Sequence, residues 1–126
     1  MTNLTREVID LINKEHLVYA ATATKSGVPN VSPKGSISVI DEGKLVFAEI
    51  ASPHTIENIK ENPKIALYVL DKETKKGCQI KGTCTLMDSG PIFDKVAKTL
   101  KEMMPHLPPT HYAVVVDVEE TFPYNI

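Results

Sequence analysis

Apolar positions change their spacing several times along the chain, and these changes predict where helices and strands lie. Over residues 4–16 the apolar positions recur with a helical period, which predicts an amphipathic helix. Further along, short runs rich in β-branched residues alternate with turn signals that contain Gly, Pro and Asp, as is typical of strands. We predict six strands in this way, over residues 18–24, 30–41, 44–50, 64–70, 78–87 and 111–118.

Two more helices interrupt the predicted strands. Ser52 is a good N-cap, Pro53 suits the first helical position, and Pro63 ends the helix because a proline moves the preceding residue out of the α region. A longer helical period covers residues 91–104. Six strands joined mainly by turns favour an antiparallel sheet over a parallel α/β sheet. We therefore predict a β-rich α+β fold, an antiparallel barrel with flanking helices.

The start of the helix after Ser52 carries candidate chemistry. Its first turn offers free backbone N–H groups, the Ser52 and Thr55 hydroxyls and the His54 imidazole, at the positive end of the helix dipole. Asn58 lies three residues after Thr55, so both are expected to face the mouth of the helix. This combination suits a phosphate group. An ordinary capped surface helix explains the same residues equally simply.

The predicted strand over residues 30–41 alternates in polarity. One side carries hydroxyls, an amide and an ammonium, including Asn30, Ser32 and Lys34, and the other side is apolar and suited to a core. The polar side faces either solvent or a ligand. Pro33 and Gly35 also indicate a bulge or an edge where another group approaches the backbone.

In the third predicted strand, residues 45–51 are apolar on both faces except at Glu49. This pattern predicts a strand with the core on one side. A partner subunit or a flat ring is expected on the other side.

Composition limits the classes of function. The chain has 126 residues, of which 42% are hydrophobic, and this size predicts one domain over residues 1–126. A net charge of −2 argues against general binding to nucleic acid or to anionic membranes. No apolar run is long enough to span a bilayer and the first residues lack the apolar core of a signal peptide, so we expect a cytoplasmic protein.

The cysteines and histidines give little sign of reactive or metal chemistry. Cys78 and Cys84 lie six residues apart on one predicted strand, too far for a disulfide, and are expected to be small buried residues. The histidines are scattered, and the two prolines between His106 and His111 indicate a rigid loop. We expect no metal site.

The order of these elements resembles one known family. The runs Val31-Ser32-Pro33-Lys34-Gly35-Ser36, Ser52 to Pro63, Lys64-Ile65-Ala66-Leu67-Tyr68-Val69 and Gly77-Cys78-Gln79-Ile80-Lys81-Gly82 follow each other as in small members of the pyridoxamine 5′-phosphate oxidase-like family of FMN-binding split barrels. The resemblance implies a Greek-key split barrel that binds FMN. It also implies a homodimer with FMN at the subunit interface.

The resemblance further implies which residues hold the cofactor. Backbone groups of three strand residues would contact the isoalloxazine ring, the start of the following helix would hold the phosphate, and the neighbouring strands would supply the remaining contacts. The implied residues are Ser32, Pro33, Lys34, Ala48, Glu49, Ile50, Ser52, His54, Thr55, Asn58 and Gln79. The family often has Lys or Arg just before the phosphate-binding threonine, whereas this chain has His54. Since an imidazole carries only part of a charge near neutrality, FMN is expected to bind more weakly here unless Lys34 or Lys60 compensates.

The activity implied by the resemblance is flavin redox chemistry. No catalytic base, nucleophile or substrate-binding arginine pair is evident in the sequence, and no second phosphate site for a pyridoxamine phosphate substrate can be placed. We predict a small FMN-dependent oxidoreductase or electron-transfer protein that works with a small-molecule or protein electron donor or acceptor. The alternatives are a split barrel that binds a deazaflavin or haem, and a cofactor-free dimeric interaction module.

Overall fold

The computed structural model describes residues 3–41 and 43–125 of the chain. The described residues form three helices and seven strands. The helices are α1 (Arg6–Glu15), α2 (Pro53–Glu61) and α3 (Pro91–Met103). The strands are β1 (Val18–Ala23), β2 (Pro29–Lys34), β3 (Ser38–Asp41), β4 (Lys44–Glu49), β5 (Lys64–Leu70), β6 (Lys76–Met87) and β7 (Tyr112–Asn125).

The strands form one antiparallel sheet in the order β2-β1-β5-β6-β7-β4-β3. The β-rich α+β class is therefore confirmed, whereas the predicted count of six strands is wrong. The difference arises because the predicted strand over residues 30–41 is two strands, β2 and β3, separated at residues 35–37.

The break at residues 35–37 determines the shape of the sheet. β2 and β3 are the two edge strands, yet only three residues connect them. Seven strands laid flat would separate the edges by roughly 29 Å, since neighbouring strands lie about 4.8 Å apart. The connection spans at most roughly 14 Å. The sheet must therefore curve strongly, as in a split barrel, although no ladder between β2 and β3 closes it among the described residues.

The last strand is longer than the sequence predicts. We predicted that it ends at residue 118, but β7 continues to Asn125 because its second half pairs with the first half of β6. The register shifts between Lys81 and Gly82, where β7 accommodates the additional residue Glu119. A bulge of this kind bends the strand pair and increases its twist.

The main hydrophobic core lies inside the curved sheet, where α1 and α2 contribute to it. Phe47 of β4, Ile12 of α1 and Ile80 of β6 are fully buried there. A second, smaller cluster joins Val46 of β4 to α3 on the outer side of the sheet. The prediction that a partner subunit or a flat ring covers the outer side of β4 is therefore wrong at Val46, since α3 covers it.

The two cysteines are buried, as predicted. Both belong to the main core, and burial raises the pKa of the Cys78 thiol and raises the pKa of the Cys84 thiol to about 12. Thiolate chemistry near neutral pH is therefore unfavourable at both positions.

None of the described helices is both long and apolar enough to cross a membrane.

Candidate functional site

A buried ion pair lies where β4 ends and α2 begins. The Lys34 ammonium, at the end of β2, donates to Glu49 Oε2 at 2.7 Å and to Ser52 Oγ at 2.8 Å. The other carboxylate oxygen of Glu49 accepts from the backbone N–H of Ser52. Lys34 is 6% exposed and Glu49 is 2% exposed, and the ammonium also lies 5.6 Å from the centre of the Phe47 ring. The three polar groups thus satisfy each other away from water.

The start of α2 differs from the capped start that the sequence predicts. Ser52 occupies the N-cap position, but its hydroxyl accepts from Lys34 and makes no capping hydrogen bond to the helix. Pro53 takes the first helical position and has no N–H to satisfy. The N–H groups of His54 and Thr55, in the first turn, have no intrahelical acceptor. His54 is exposed at this end of the helix, whereas Thr55 is fully buried, so only the His54 N–H belongs to an exposed residue.

A buried polar layer joins α2 to β1 and β2. Thr55 is fully buried, shares a hydrogen bond of 3.2 Å with Ser32 and accepts from Asn30 Nδ2 at 3.3 Å. Asn58 donates from its amide to Thr22 Oγ1 at 3.1 Å. The expectation that Thr55 and Asn58 face the mouth of the helix is therefore wrong for their side chains, which face the sheet.

The same layer explains why β2 turns its polar side inward and its apolar side outward. We predicted a core on the apolar side of this strand, but Val31 is 66% exposed and Pro33 is also exposed. Ser32 and Lys34, on the polar side, face α2 instead. The alternation resumes its expected sense after the break, where Ile37 is buried in the core.

Two cavities adjoin the segment Glu49–Ser52 from different sides. The first, of about 210 Å³, is lined by Lys34, Ser36, Ala48 and the same segment, and by residues at or after the end of α3. The residues contributed by that region are Leu100, Met104 and Leu107. The second, of about 360 Å³, lies between the same segment and Ile56, Glu57, His111 and Tyr112.

The structure brings most of the predicted site residues together. Lys34, Glu49 and Ser52 are joined by hydrogen bonds in the buried ion pair, and Ser32 and Thr55 share a separate hydrogen bond in the polar layer. Pro33, Ala48 and Ile50 line the first cavity with Lys34, Glu49 and Ser52, whereas His54 of α2 lines neither of the two cavities.

Gln79 lies apart from this group. It is on β6, on the outer surface of the sheet, and its amide donates to Tyr124 Oη at 3.4 Å. Gln79 pairs with Tyr68, which pairs with Tyr19, which in turn pairs with Pro33. These four residues therefore form one row across the sheet. Paired side chains share a face, so Gln79 and Pro33 point to the same side of the sheet.

Several residues near the site were not predicted. Ser36 accepts a hydrogen bond from the backbone N–H of Ala48 at 2.9 Å, and Leu100, Met104 and Leu107 form an apolar wall of the first cavity. His111 and Tyr112 line the second cavity. A polar alternation that includes Ser36 was visible in the sequence, but the approach of α3 depends on packing that no local pattern reveals.

The comparison with known proteins agrees with the fold. The family described as pyridoxamine 5′-phosphate oxidase matches residues 4–123. An uncharacterized protein of Methanocaldococcus jannaschii is 33% identical over 124 residues, which cover 97% of this chain and 81% of the relative. The crystal structure of HupZ from Group A Streptococcus superposes with a TM-score of 0.86 at 27% identity, over 97% of this chain and 94% of that chain.

More distant structures share the fold alone. An FMN-binding protein from Syntrophomonas wolfei has a TM-score of 0.82 at 20% identity, over 96% of this chain and 88% of that chain. An F420 reductase and HutZ, the haem storage protein of Vibrio cholerae, have TM-scores of 0.75 and 0.72 at 18% and 16% identity. Proteins of this fold are thus described with three different cofactors. The match over residues 4–123 shows that the chain belongs to the pyridoxamine 5′-phosphate oxidase family.

Proposed function

We propose that this protein binds FMN and acts as a small FMN-dependent oxidoreductase or electron-transfer protein. One observation carries the proposal, namely the uncapped start of α2. There the exposed residue His54 carries an imidazole and a backbone N–H that has no intrahelical acceptor, at the positive end of a helix. These are the donors that a phosphate group requires.

The donor set fits the phosphate of FMN in part. The His54 N–H and imidazole lie on an exposed residue, whereas the Lys34 ammonium and the Ser52 N–H already bind Glu49. Thr55 is fully buried and supports the site because its side chain holds α2 on the sheet. This weaker set of donors agrees with the expectation that His54 in place of a lysine lowers FMN affinity.

The flavin ring would lie along the backbone of Ala48, Glu49 and Ile50, which borders both cavities. Bound FMN supplies redox chemistry, and the protein positions it and sets its surroundings. Leu100 and Met104 form an apolar wall on one side of this segment. Among the described residues that line the first cavity, Lys34 and Glu49 are the only ones with a general acid or base.

A homodimer is part of the proposal. The outer surface of β1, β2, β6 and β7 exposes large apolar side chains, which α3 does not cover. These are Tyr19, Val31, Phe122 and Tyr124. A contiguous apolar surface of this kind is typical of an interface between subunits. Gln79 lies on the same surface, where a partner subunit would bring it close to a flavin held at the interface.

Val31→Glu is expected to convert the dimer to a monomer, because it places a charge at an exposed apolar position of this surface, where a partner would have to desolvate it. Sedimentation velocity measures the oligomeric state at several protein concentrations. Met103→Glu is the matched control, since Met103 is equally exposed but lies on α3 and should leave the dimer intact. A Val31→Glu protein that stays dimeric would contradict this interface.

Replacing His54 by alanine is expected to weaken FMN binding, because it removes an exposed imidazole from the start of α2, where the phosphate is proposed to bind. Fluorescence titration of FMN measures the affinity of the variant and of the wild-type protein. Equal FMN affinity of the two proteins would remove His54 from the phosphate site.

The proposed function is tested by the ultraviolet-visible spectrum of the protein after incubation with FMN and removal of the excess. We expect flavin bands at about one flavin per chain, as for a dimer with two equivalent sites. A protein that retains no flavin and does not quench FMN fluorescence would contradict the proposal. The same spectra recorded with a deazaflavin or haem would then decide between the other cofactors.

A further inference from the structure

We propose that the Glu49 carboxylate is an internal anion that competes with the phosphate of FMN for the start of α2 and so limits FMN affinity. This inference rests on the proposed function. It assigns to Glu49 a role in specificity that is separate from any backbone contact with the flavin ring.

The contacts of Glu49 are those of a bound anion. One carboxylate oxygen accepts from the Lys34 ammonium at 2.7 Å, and the other accepts from the Ser52 N–H at the helix start. The carboxylate is therefore held by an ammonium and by a backbone donor at the positive end of α2. A phosphate placed there would use the same two kinds of group.

The hydroxyl of Ser52 strengthens this interpretation. At most helix starts a serine hydroxyl accepts from an N–H of the first turn, which completes the cap. Here the hydroxyl accepts from Lys34 at 2.8 Å, and the helix has no side-chain cap. The His54 N–H thus has no side-chain cap, while the neighbouring Lys34 cation is already neutralised by Glu49.

The electrostatic consequence follows from burial. Glu49 and Lys34 are almost fully buried, so their charges are poorly screened by water. With Glu49 in place, an incoming phosphate meets an ion pair that carries no net charge. With a neutral side chain at position 49, the same phosphate meets the Lys34 ammonium without its counter-ion.

The test compares FMN with riboflavin, which has the same ring but no phosphate, on the Glu49→Gln protein. We expect FMN to bind about tenfold more tightly than to the wild-type protein, while riboflavin affinity changes by less than about twofold. Glu7→Gln is the matched control, because Glu7 is exposed on α1 and its replacement changes the net charge equally. This control should leave both affinities unchanged.

A second variant keeps the test decisive if Glu49→Gln does not fold. Glu49→Asp retains the charge that pairs with Lys34 but shortens the side chain, so that it no longer reaches both Lys34 and the Ser52 N–H. FMN should then bind about threefold more tightly than to the wild-type protein. Folding of each variant is checked by its circular dichroism spectrum.

The outcomes separate this inference from the proposed function. If the wild-type protein binds FMN but the folded position-49 variants bind it no more tightly, the inference is overturned and the proposed function stands. An equal gain for riboflavin would also overturn it, since the phosphate would then not be the group that competes. If no protein in the series binds FMN, both are overturned.

Discussion

Replacing Lys34 by methionine is expected to destabilise the protein by about 3–5 kcal/mol, because it leaves the buried Glu49 carboxylate without its counter-ion. Glu49 is 2% exposed and its only described cationic partner is Lys34, at 2.7 Å. The Ser52 N–H alone cannot compensate for the lost charge. Urea denaturation followed by circular dichroism measures the free energy of unfolding.

The double variant Lys34→Met with Glu49→Leu separates the cost of an unpaired charge from the loss of the pair itself. Replacement of a buried ion pair by apolar side chains of similar size is often neutral, so the double variant should recover most of the lost stability. A Lys34→Met protein as stable as the wild-type protein would show that Glu49 reaches water or another partner. The buried pair would then not hold the start of α2.

Gly82→Ala is expected to destabilise the protein by about 3 kcal/mol, since the backbone at the β6–β7 bulge leaves no room for a side chain. A Cβ atom at this position would lie 2.9 Å from Val116 Cγ1 and in closer conflict with the carbonyl oxygen of Asp117. The carbonyl belongs to the paired strand and cannot move without disrupting the ladder. Thermal or urea unfolding measures the effect.

Gly35→Ala is the matched control for the Gly82 variant. Gly35 lies at the break between β2 and β3, and a Cβ atom there would meet no atom within 4 Å. Its replacement should therefore change the free energy of unfolding by less than about 1 kcal/mol. If both variants are equally stable, the close approach at Gly82 does not determine the β6–β7 pairing.

The elements with strong local signals could be predicted from the sequence. The helix that begins after Ser52 and ends before Pro63, and the strand Lys64–Leu70, appear where the prolines and the apolar alternation place them. Prolines act on the backbone of their own neighbours, so such boundaries do not depend on distant contacts. The buried cysteines of β6 were predicted from another local signal, their spacing along one strand, which places them too far apart for a disulfide.

The orientation of β2 could not be predicted, because alternation separates two faces without showing which one is buried. The polar side turns inward since Thr55 and Asn58 of α2 supply hydrogen-bond partners for it and for β1. The exposed apolar side, with Val31, then belongs to the outer surface of the sheet. Both facts depend on how α2 packs, which is a long-range property.

The end of β7 and the lining of the cavities depend on tertiary contacts in the same way. Residues 119–125 include two glutamates and a proline, which disfavour a strand locally, but pairing with β6 keeps them extended. The candidate residues at the start of α2 were predicted from their own segment, whereas those on and after β4 were implied by the family resemblance. Their ion pair with Lys34 requires the curvature of the sheet, which places the end of β2 beside them.

The central claim is that a phosphate-bearing flavin binds at the start of α2. Paired titrations of the wild-type protein with FMN and with riboflavin test it most directly, because the two ligands differ only in the phosphate. The account predicts that FMN binds about tenfold or more tightly than riboflavin, at about one flavin per chain. Equal affinity for the two ligands, or no binding of FMN, would contradict it.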